Sequence, residues 1–185
     1  MDDPSGATSL GDEFVTQARQ QLVASVGLIR HCMGQLDDGQ VWERPREGMN
    51  SIGNLLLHLA GNLRQRFGSV IGGEPDDRDR PAEFTERTAI PKGELQRTLE
   101  EAAGRADEVL SSLDHRRLLA TCHYELLAGP TEKSVLGVVL QTLNHLNGHA
   151  QEILHLTRWQ LGEKYVFRQP AGVPPQLRAP DGPRT

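Results

Sequence analysis

The chain has 185 residues, about the length of one domain, with 20 lysine and arginine residues against 25 aspartate and glutamate residues. A net charge of −5 and an aromatic content of 4% exclude a broad basic face for nucleic-acid backbones and a platform for base stacking. No apolar run approaches the roughly 18 to 20 residues of a membrane span, and the polar start does not resemble a secretory signal. Cys32 and Cys122 lie far apart, which favours reduced thiols over a disulfide framework. We therefore expect one cytoplasmic domain that binds neither nucleic acid nor membranes.

Four segments carry apolar residues at the three- and four-residue steps of an amphipathic helix. In chain order they are residues 12–36, 52–71, 91–113 and 132–161. Asn50 or Ser51 can accept the first free backbone N–H groups of the second helix. Pro91 is a favourable residue for the first turn of the third helix, and Gly162 ends the fourth.

Four amphipathic helices of this length predict an all-α four-helix bundle, because each helix buries one stripe against the others. No segment alternates with period two for long enough to predict a strand, and the nearest candidate, residues 164–167, is too short to seed a sheet. The connection over residues 72–90 is charged and contains prolines, and it is long enough for a crossover. We therefore expect a bundle over residues 12–162, preceded by an arm over residues 1–11. A proline- and glycine-rich tail over residues 163–185, extended or disordered, follows it.

Three histidines occupy the flanks of two of these helices. His145 and His149 are four residues apart, so both imidazoles lie on one face of the fourth helix, about one turn apart. His58 lies in the apolar stretch 55–62 of the second helix. On a helical wheel all three lie about 75° to 125° from the centre of the apolar stripe, in the same rotational sense. This position suits a half-open metal site in a groove between helices, and it equally suits ordinary histidines at the edge of a core.

Polar residues one turn away could support such a site. Asn62 follows His58 by four residues, and Glu152 follows His149 by three. Either side chain could orient an imidazole or a bound water, although solvated helix positions would look the same. Arg66 lies on the face of His58 and Asn62, and it could hold an anionic substrate or form a surface salt bridge.

The order and helix placement of these motifs resemble the DinB-like superfamily of metal-binding four-helix bundles. The resemblance covers residues 12–161 and is carried by residues 50–62, 78–84 and 145–158. It implies an up-down-down-up bundle with a long crossover between the second and third helices. It also implies a divalent metal on the residues that match the family's three histidines, His58, His145 and His149.

The resemblance implies zinc or nickel as the metal, and imidazole ligands also admit iron. Some relatives are transferases or isomerases that use a low-molecular-weight thiol. Relatives often place Gly-Gln ahead of the isoleucine after the second motif histidine, where this chain has Gln151 and Glu152. A carboxylate there adds charge beside the metal, so the substrate of those relatives does not carry over.

Three functions remain open at this point. The leading hypothesis is a metal-dependent thiol transferase, in which the cation deprotonates a thiol cosubstrate for attack on a small-molecule substrate. Asn62 and Glu152 would support the site, and Arg66 would contact a carboxylate of the cosubstrate or substrate. The second hypothesis is a metal-dependent hydrolase with an activated water in the same position. The third is a non-catalytic metal-binding bundle, or an interaction module that forms a homodimer through a remaining apolar face.

Overall fold

The computed structural model describes residues 9–126 and 129–168. Six α-helices lie in this part of the chain: α1 Leu10–Met33, α2 Asp38–Trp42, α3 Ile52–Leu63, α4 Arg80–Thr85, α5 Lys92–Ser111 and α6 Val135–Leu161. The helices α1, α3, α5 and α6 form the bundle. The bounds of α1, α5 and α6 agree with the predicted segments to within a few residues, whereas α3 ends at Leu63 and the rest of its predicted segment, 64–71, is π-helical. The first eight residues of the expected arm, and the expected tail from residue 169 onwards, lie outside the described residues.

Residues at the helix ends mark where the helices begin and stop. Ser51 provides the cap of α3, since its hydroxyl accepts from the Asn54 backbone N–H at 3.2 Å. Pro91 stands at the start of α5 as predicted. Gly162 follows the last residue of α6 with φ 52°, a left-handed backbone conformation that glycine adopts without steric cost.

Surface ion pairs report the relative direction of α1 and α5. Arg19 pairs with Asp107 at 2.7 Å, and Arg30, further along α1, pairs with Glu100 at 2.8 Å. The partner numbers fall as those in α1 rise, so the two helices are antiparallel. These pairs are partly exposed and contribute little to stability.

Contacts near the start of α1 show the direction of α6 relative to α1. His115, just after α5, contacts Asp12 near the start of α1 at 2.9 Å. The backbone N–H of Leu136, at the start of α6, donates to the carbonyl oxygen of Leu118 at 2.8 Å. The first turns of α1 and α6 therefore lie at the same end of the bundle, and the two helices are parallel.

Trp42 in α2 joins the starts of α3 and α5. Its Nε1–H donates to the carbonyl oxygen of Ile90 at 2.9 Å, and its indole packs against Gly53, where an added Cβ would approach the ring to 3.0 Å. Because both helices start beside Trp42, α3 and α5 are parallel. The resulting order is up-down-down-up with a long α3–α5 connection, so the predicted topology is confirmed.

One apolar core runs between the four long helices. Its largest fully buried side chains are Leu22, Ile29, Met33, Ile52, Leu55, Leu56, Leu59, Leu63, Phe67, Leu95, Leu99 and Leu110. Burial of each such side chain contributes about 1.5 to 3 kcal/mol. This core holds α3 against α6, and the candidate site lies along their interface.

A short β-hairpin departs from the sequence prediction, which contained no strand. Strand β1 (Thr121–Leu126) pairs antiparallel with β2 (Gly129–Ser134), with Tyr124 opposite Thr131. The period-two signal is weak because, within residues 121–125, Cys122 and Tyr124 are the two side chains that turn inwards between exposed neighbours. Residues 164–167 form no strand. A 3₁₀ turn, Gly162–Lys164, ends there, and the next residue, Tyr165, is buried against the bundle.

A π-helical segment, Arg64–Ile71, continues α3. Its wider turn closes with the N–H of Gly72 donating to the carbonyl oxygen of Phe67 at 2.9 Å. Arg66, Phe67 and Gly68 of this segment are all buried, so an arginine lies inwards beside the core. π-Helical turns of this kind often accompany functional sites.

Candidate metal centre

The structure brings the three predicted histidines together at the interface of α3 and α6. Nitrogen atoms of His58, His145 and His149, one from each ring, all lie within 4.8 Å of one another. The Nε2 atoms of His58 and His145 are 2.8 Å apart, and the rings of His145 and His149 meet at right angles with centroids 4.5 Å apart. Three imidazole nitrogens converging on one point are a ligand set for a divalent transition metal.

The three histidines of the cluster differ in burial. His58 is buried, whereas His145 and His149 are half-buried. Burial, together with the neighbouring imidazoles and arginines, lowers the pKa of His145 to about 4. A neutral imidazole keeps the lone pair that a metal requires, so His145 can act as a ligand at neutral pH.

Glu83 of α4 fixes the ring of His58. Its Oε2 lies 2.8 Å from His58 Nδ1, and its Oε1 accepts from Nε of Arg78 at 2.7 Å. Burial acts to raise the pKa of Glu83, but the hydrogen bonds from His58 and Arg78 outweigh it and lower that pKa. Because an ionised carboxylate can only accept, the proton of His58 lies on Nδ1 and the Nε2 lone pair faces the cluster.

Glu152 makes the same contact with His149. Its Oε2 lies 2.7 Å from His149 Nδ1, three residues earlier on α6. The Glu152 side chain is 40% exposed, whereas that of Glu83 is 9% exposed. Two of the three imidazoles therefore carry a carboxylate on Nδ1. This arrangement occurs around metal-bound histidines, so the residues present fit a divalent metal.

Glu83 and Arg78 are site residues that the helix pattern did not indicate. Both lie in the crossover between α3 and α5, within the stretch 78–84 that contributed to the family resemblance. The amide of Asn54 holds this segment by donating to the carbonyl oxygen of Glu83 at 2.9 Å. Gly61 leaves room for it, since a Cβ there would overlap the Glu83 carboxylate. Only the folded path of the crossover reveals these contacts.

A cavity of about 610 Å³ opens beside the histidines. The residues that line it are His58, Asn62, Gln65, Arg66, Arg78, Arg80, Pro81, Glu125, Gln141, Thr142 and His145. Asn62 and Arg66 are thus near the cluster, as expected from their shared helix face, and both are buried. His155, six residues beyond His149, is exposed and lies outside the cluster. The volume suits a small-molecule ligand.

Residues 9–168 match a family described as a protein of unknown function (DUF1572). The chain belongs to this family. Its structure is similar to that of a conserved protein from Enterococcus faecalis, with a TM-score of 0.65, 12% identity, and coverage of 80% of this chain and 96% of the other. It is also similar to YfiT from Bacillus subtilis, described as a probable metal-dependent hydrolase with an unusual four-helix bundle topology. Here the TM-score is 0.65, the identity 16%, and the coverage 86% and 93%.

At these identities the two structures establish the fold, and the four-helix bundle implied by the DinB-like resemblance is confirmed. No curated protein sequence matches the chain. Among residues 9–126 and 129–168, no helix is both long enough and apolar enough to cross a membrane.

Proposed function

We propose that this protein is a metal-dependent enzyme in which His58, His145 and His149 hold a divalent cation at the edge of a small-molecule cavity. The observation that carries the proposal is the cluster itself, with three imidazole nitrogens within 4.8 Å of one another. Zinc or nickel is the favoured metal, and iron is a further candidate.

The surrounding residues would hold the ligands in position. Glu83 and Arg78 keep the His58 ring in one tautomer and one orientation, and Glu152 does so for His149. A divalent cation bound there would lower the pKa of a nucleophile and polarise an electrophilic substrate. The cavity lies beside two of the three imidazoles, so a substrate could approach from that side. Asn62 could hold the nucleophile or a substrate carbonyl through its amide.

Hydrolysis, with water as the nucleophile, is the favoured reaction. It agrees with the description of YfiT, whose fold this chain shares. Histidine ligands with an open coordination position are typical of zinc hydrolases.

Transfer of a low-molecular-weight thiol is the second candidate, and one observation favours it. Glu125 is the one carboxylate among the described residues that line the cavity, and it is exposed. Glu83 and Glu152 contact the histidines but do not line the cavity, so among the described residues no carboxylate beside the cluster faces a substrate there as a general base. A thiol, with an ordinary pKa near 8.5 against 15.7 for water, needs less help to lose its proton.

Metal content of the untagged protein, measured by plasma mass spectrometry, tests the centre. Near one zinc or nickel per chain is expected in the wild type and in the His155→Ala control, because His155 is exposed on the same helix. The His145→Ala, His149→Ala double variant should lose it. Wild-type protein that takes up neither metal on incubation would exclude the metalloenzyme.

Absorption spectroscopy of the nickel-loaded protein then separates the two nucleophiles. Titration with cysteine should alter the spectrum if a thiol binds at the centre, and it should leave the spectrum unchanged if water is the only nucleophile. A loaded centre that turns over neither ester nor thiol substrates would favour the non-catalytic, dimeric interaction module instead.

A further inference from the structure

Arg66 is a buried cation without a hydrogen bond among the described residues. The residue is 7% exposed, and its Nη1 is fully buried and has no partner there. Arg78 lines the same cavity and offers a direct comparison. Its side chain is 7% exposed, but it bonds to both oxygens of Glu83 and to Gln65 Oε1 at 2.9 Å. Arg78 thus has a carboxylate in direct contact, whereas Arg66 forms no ion pair among the described residues and is attracted only at longer range by Asp76.

An unpaired guanidinium at such a position is destabilising. Burial disfavours the charged form and lowers the pKa of Arg66, yet an arginine in a protein stays charged. Arg66 lies buried on the π-helical segment, and the ring of Tyr124 covers one face of the guanidinium at 4.4 Å. The Tyr124 hydroxyl is also buried without a partner among the described residues. The stacking orients the guanidinium plane, but it satisfies none of the N–H donors.

The charges along the cavity favour an anionic ligand. Arg80 adds a second cation to the wall, whereas the charge of Arg78 is already balanced by Glu83. The opposing charge is Glu125, at the exposed rim. Asn62 contributes an amide donor on the same face as His58 and Arg66. A planar carboxylate matches the fork of a guanidinium with two parallel hydrogen bonds.

We propose that Arg66 anchors an anion subsite that binds the carboxylate of the small-molecule substrate and directs the rest of that molecule towards the histidine cluster. The proposal rests on the proposed function, because it names the substrate class of that same cavity. The cavity of about 610 Å³ accommodates a small carboxylic acid together with its reacting group. The stability lost by burying Arg66 unpaired is regained when the substrate supplies the missing negative charge.

Calorimetric binding of succinate, with succinamide as the uncharged control, tests this subsite. Succinate should bind the wild-type protein and succinamide should not. Arg66→Met should weaken succinate binding at least about tenfold, the loss expected for hydrogen bonds to a charged group. Arg64→Met is the matched control, since Arg64 is exposed two residues earlier on the same π-helical segment. It should leave binding unchanged.

Thermal melting shows whether Arg66 is merely structural. Arg66→Met removes an unpaired buried charge, so its midpoint should equal or exceed that of the wild type. A structural role would lower the midpoint and would not be restored by succinate. Arg66→Lys keeps the charge and should retain part of the succinate affinity. Inorganic phosphate that binds as tightly as succinate would overturn the assignment to carboxylates.

Titration of both metal-free and zinc-loaded protein separates the two proposals. Arg66-dependent succinate binding to a protein that takes up no metal would support the subsite and exclude the metal centre. Zinc binding with succinate affinity unaffected by Arg66→Met would support the metal centre and overturn the subsite. Failure of succinate to bind the wild type in either form would also overturn the subsite.

Discussion

Gly61→Ala is a small change with a large predicted effect on the metal centre. Gly61 lies one helical turn after His58, and the new Cβ would overlap the Glu83 carboxylate. The backbone of Gly61 is ordinary α-helix, so alanine introduces no strain of its own. The side chain of Glu83 must move instead, and it cannot do so while keeping its bonds to both His58 and Arg78.

The size of the effect follows from those bonds. Loss of one buried, charge-assisted hydrogen bond costs about 1.5 to 3 kcal/mol. Alanine in place of glycine in a helix offsets this by about 1 kcal/mol. At Gly104 of α5 nothing lies within 4 Å of an added Cβ, so Gly104→Ala should show only the gain. The two variants should therefore differ by about 1.5 to 3 kcal/mol in free energy of unfolding, or roughly 3 to 12 °C in melting temperature.

Metal affinity gives the second readout of this pair. Loss of the carboxylate partner of a metal-bound histidine lowers affinity about 10- to 100-fold. Competition for zinc with a chromophoric chelator should show that loss in Gly61→Ala and wild-type affinity in Gly104→Ala. If Gly61→Ala melts as high as Gly104→Ala and binds zinc like the wild type, Glu83 does not position His58.

The two carboxylates and the two thiols give further predictions. Glu83→Gln should lower the free energy of unfolding by about 3 to 5 kcal/mol, because the Arg78 side chain is 7% exposed and loses its counter-charge. Glu152→Gln should change it by less than about 0.5 kcal/mol, since that carboxylate is 40% exposed. Urea unfolding checks both, and equal effects would contradict the difference in burial. Burial raises the pKa of Cys32, which is 0% exposed, and of half-buried Cys122. A higher pKa leaves less thiolate near neutral pH, so a disulfide reagent should label Cys122 slowly and Cys32 only after unfolding. Rapid labelling of both would refute this.

Most of the helical architecture could be predicted from the sequence. The spacing of apolar residues placed the four long helices, and local caps such as Ser51 and Gly162 placed their ends. The hairpin was missed because two inward residues, Cys122 and Tyr124, make too short an alternation to detect. The π-helical segment was missed because its apolar spacing resembles that of a continuing α-helix.

Part of the candidate site could also be predicted from the sequence, and part could not. The His145–His149 pair is visible in the sequence because a helix converts a four-residue step into a shared face, and the contact of Glu152 with His149 follows from the same local geometry. The helical wheel places His58 at the edge of the apolar stripe, a position that suits either a groove between helices or the protein surface. The packing of α3 against α6 shows that His58 lies in a groove between them.

By itself, the sequence determined the four amphipathic helices, their order and the candidate ligands, because these depend on neighbours a few residues apart. The tertiary structure alone decided three further features: the meeting of His58 with the α6 pair, the placement of Glu83 and Arg78 behind it, and the burial of Arg66 without an ion-pair partner among the described residues. Each depends on how segments distant in sequence pack together. Contacts of that kind depend on the path of the whole chain, and no local pattern encodes them.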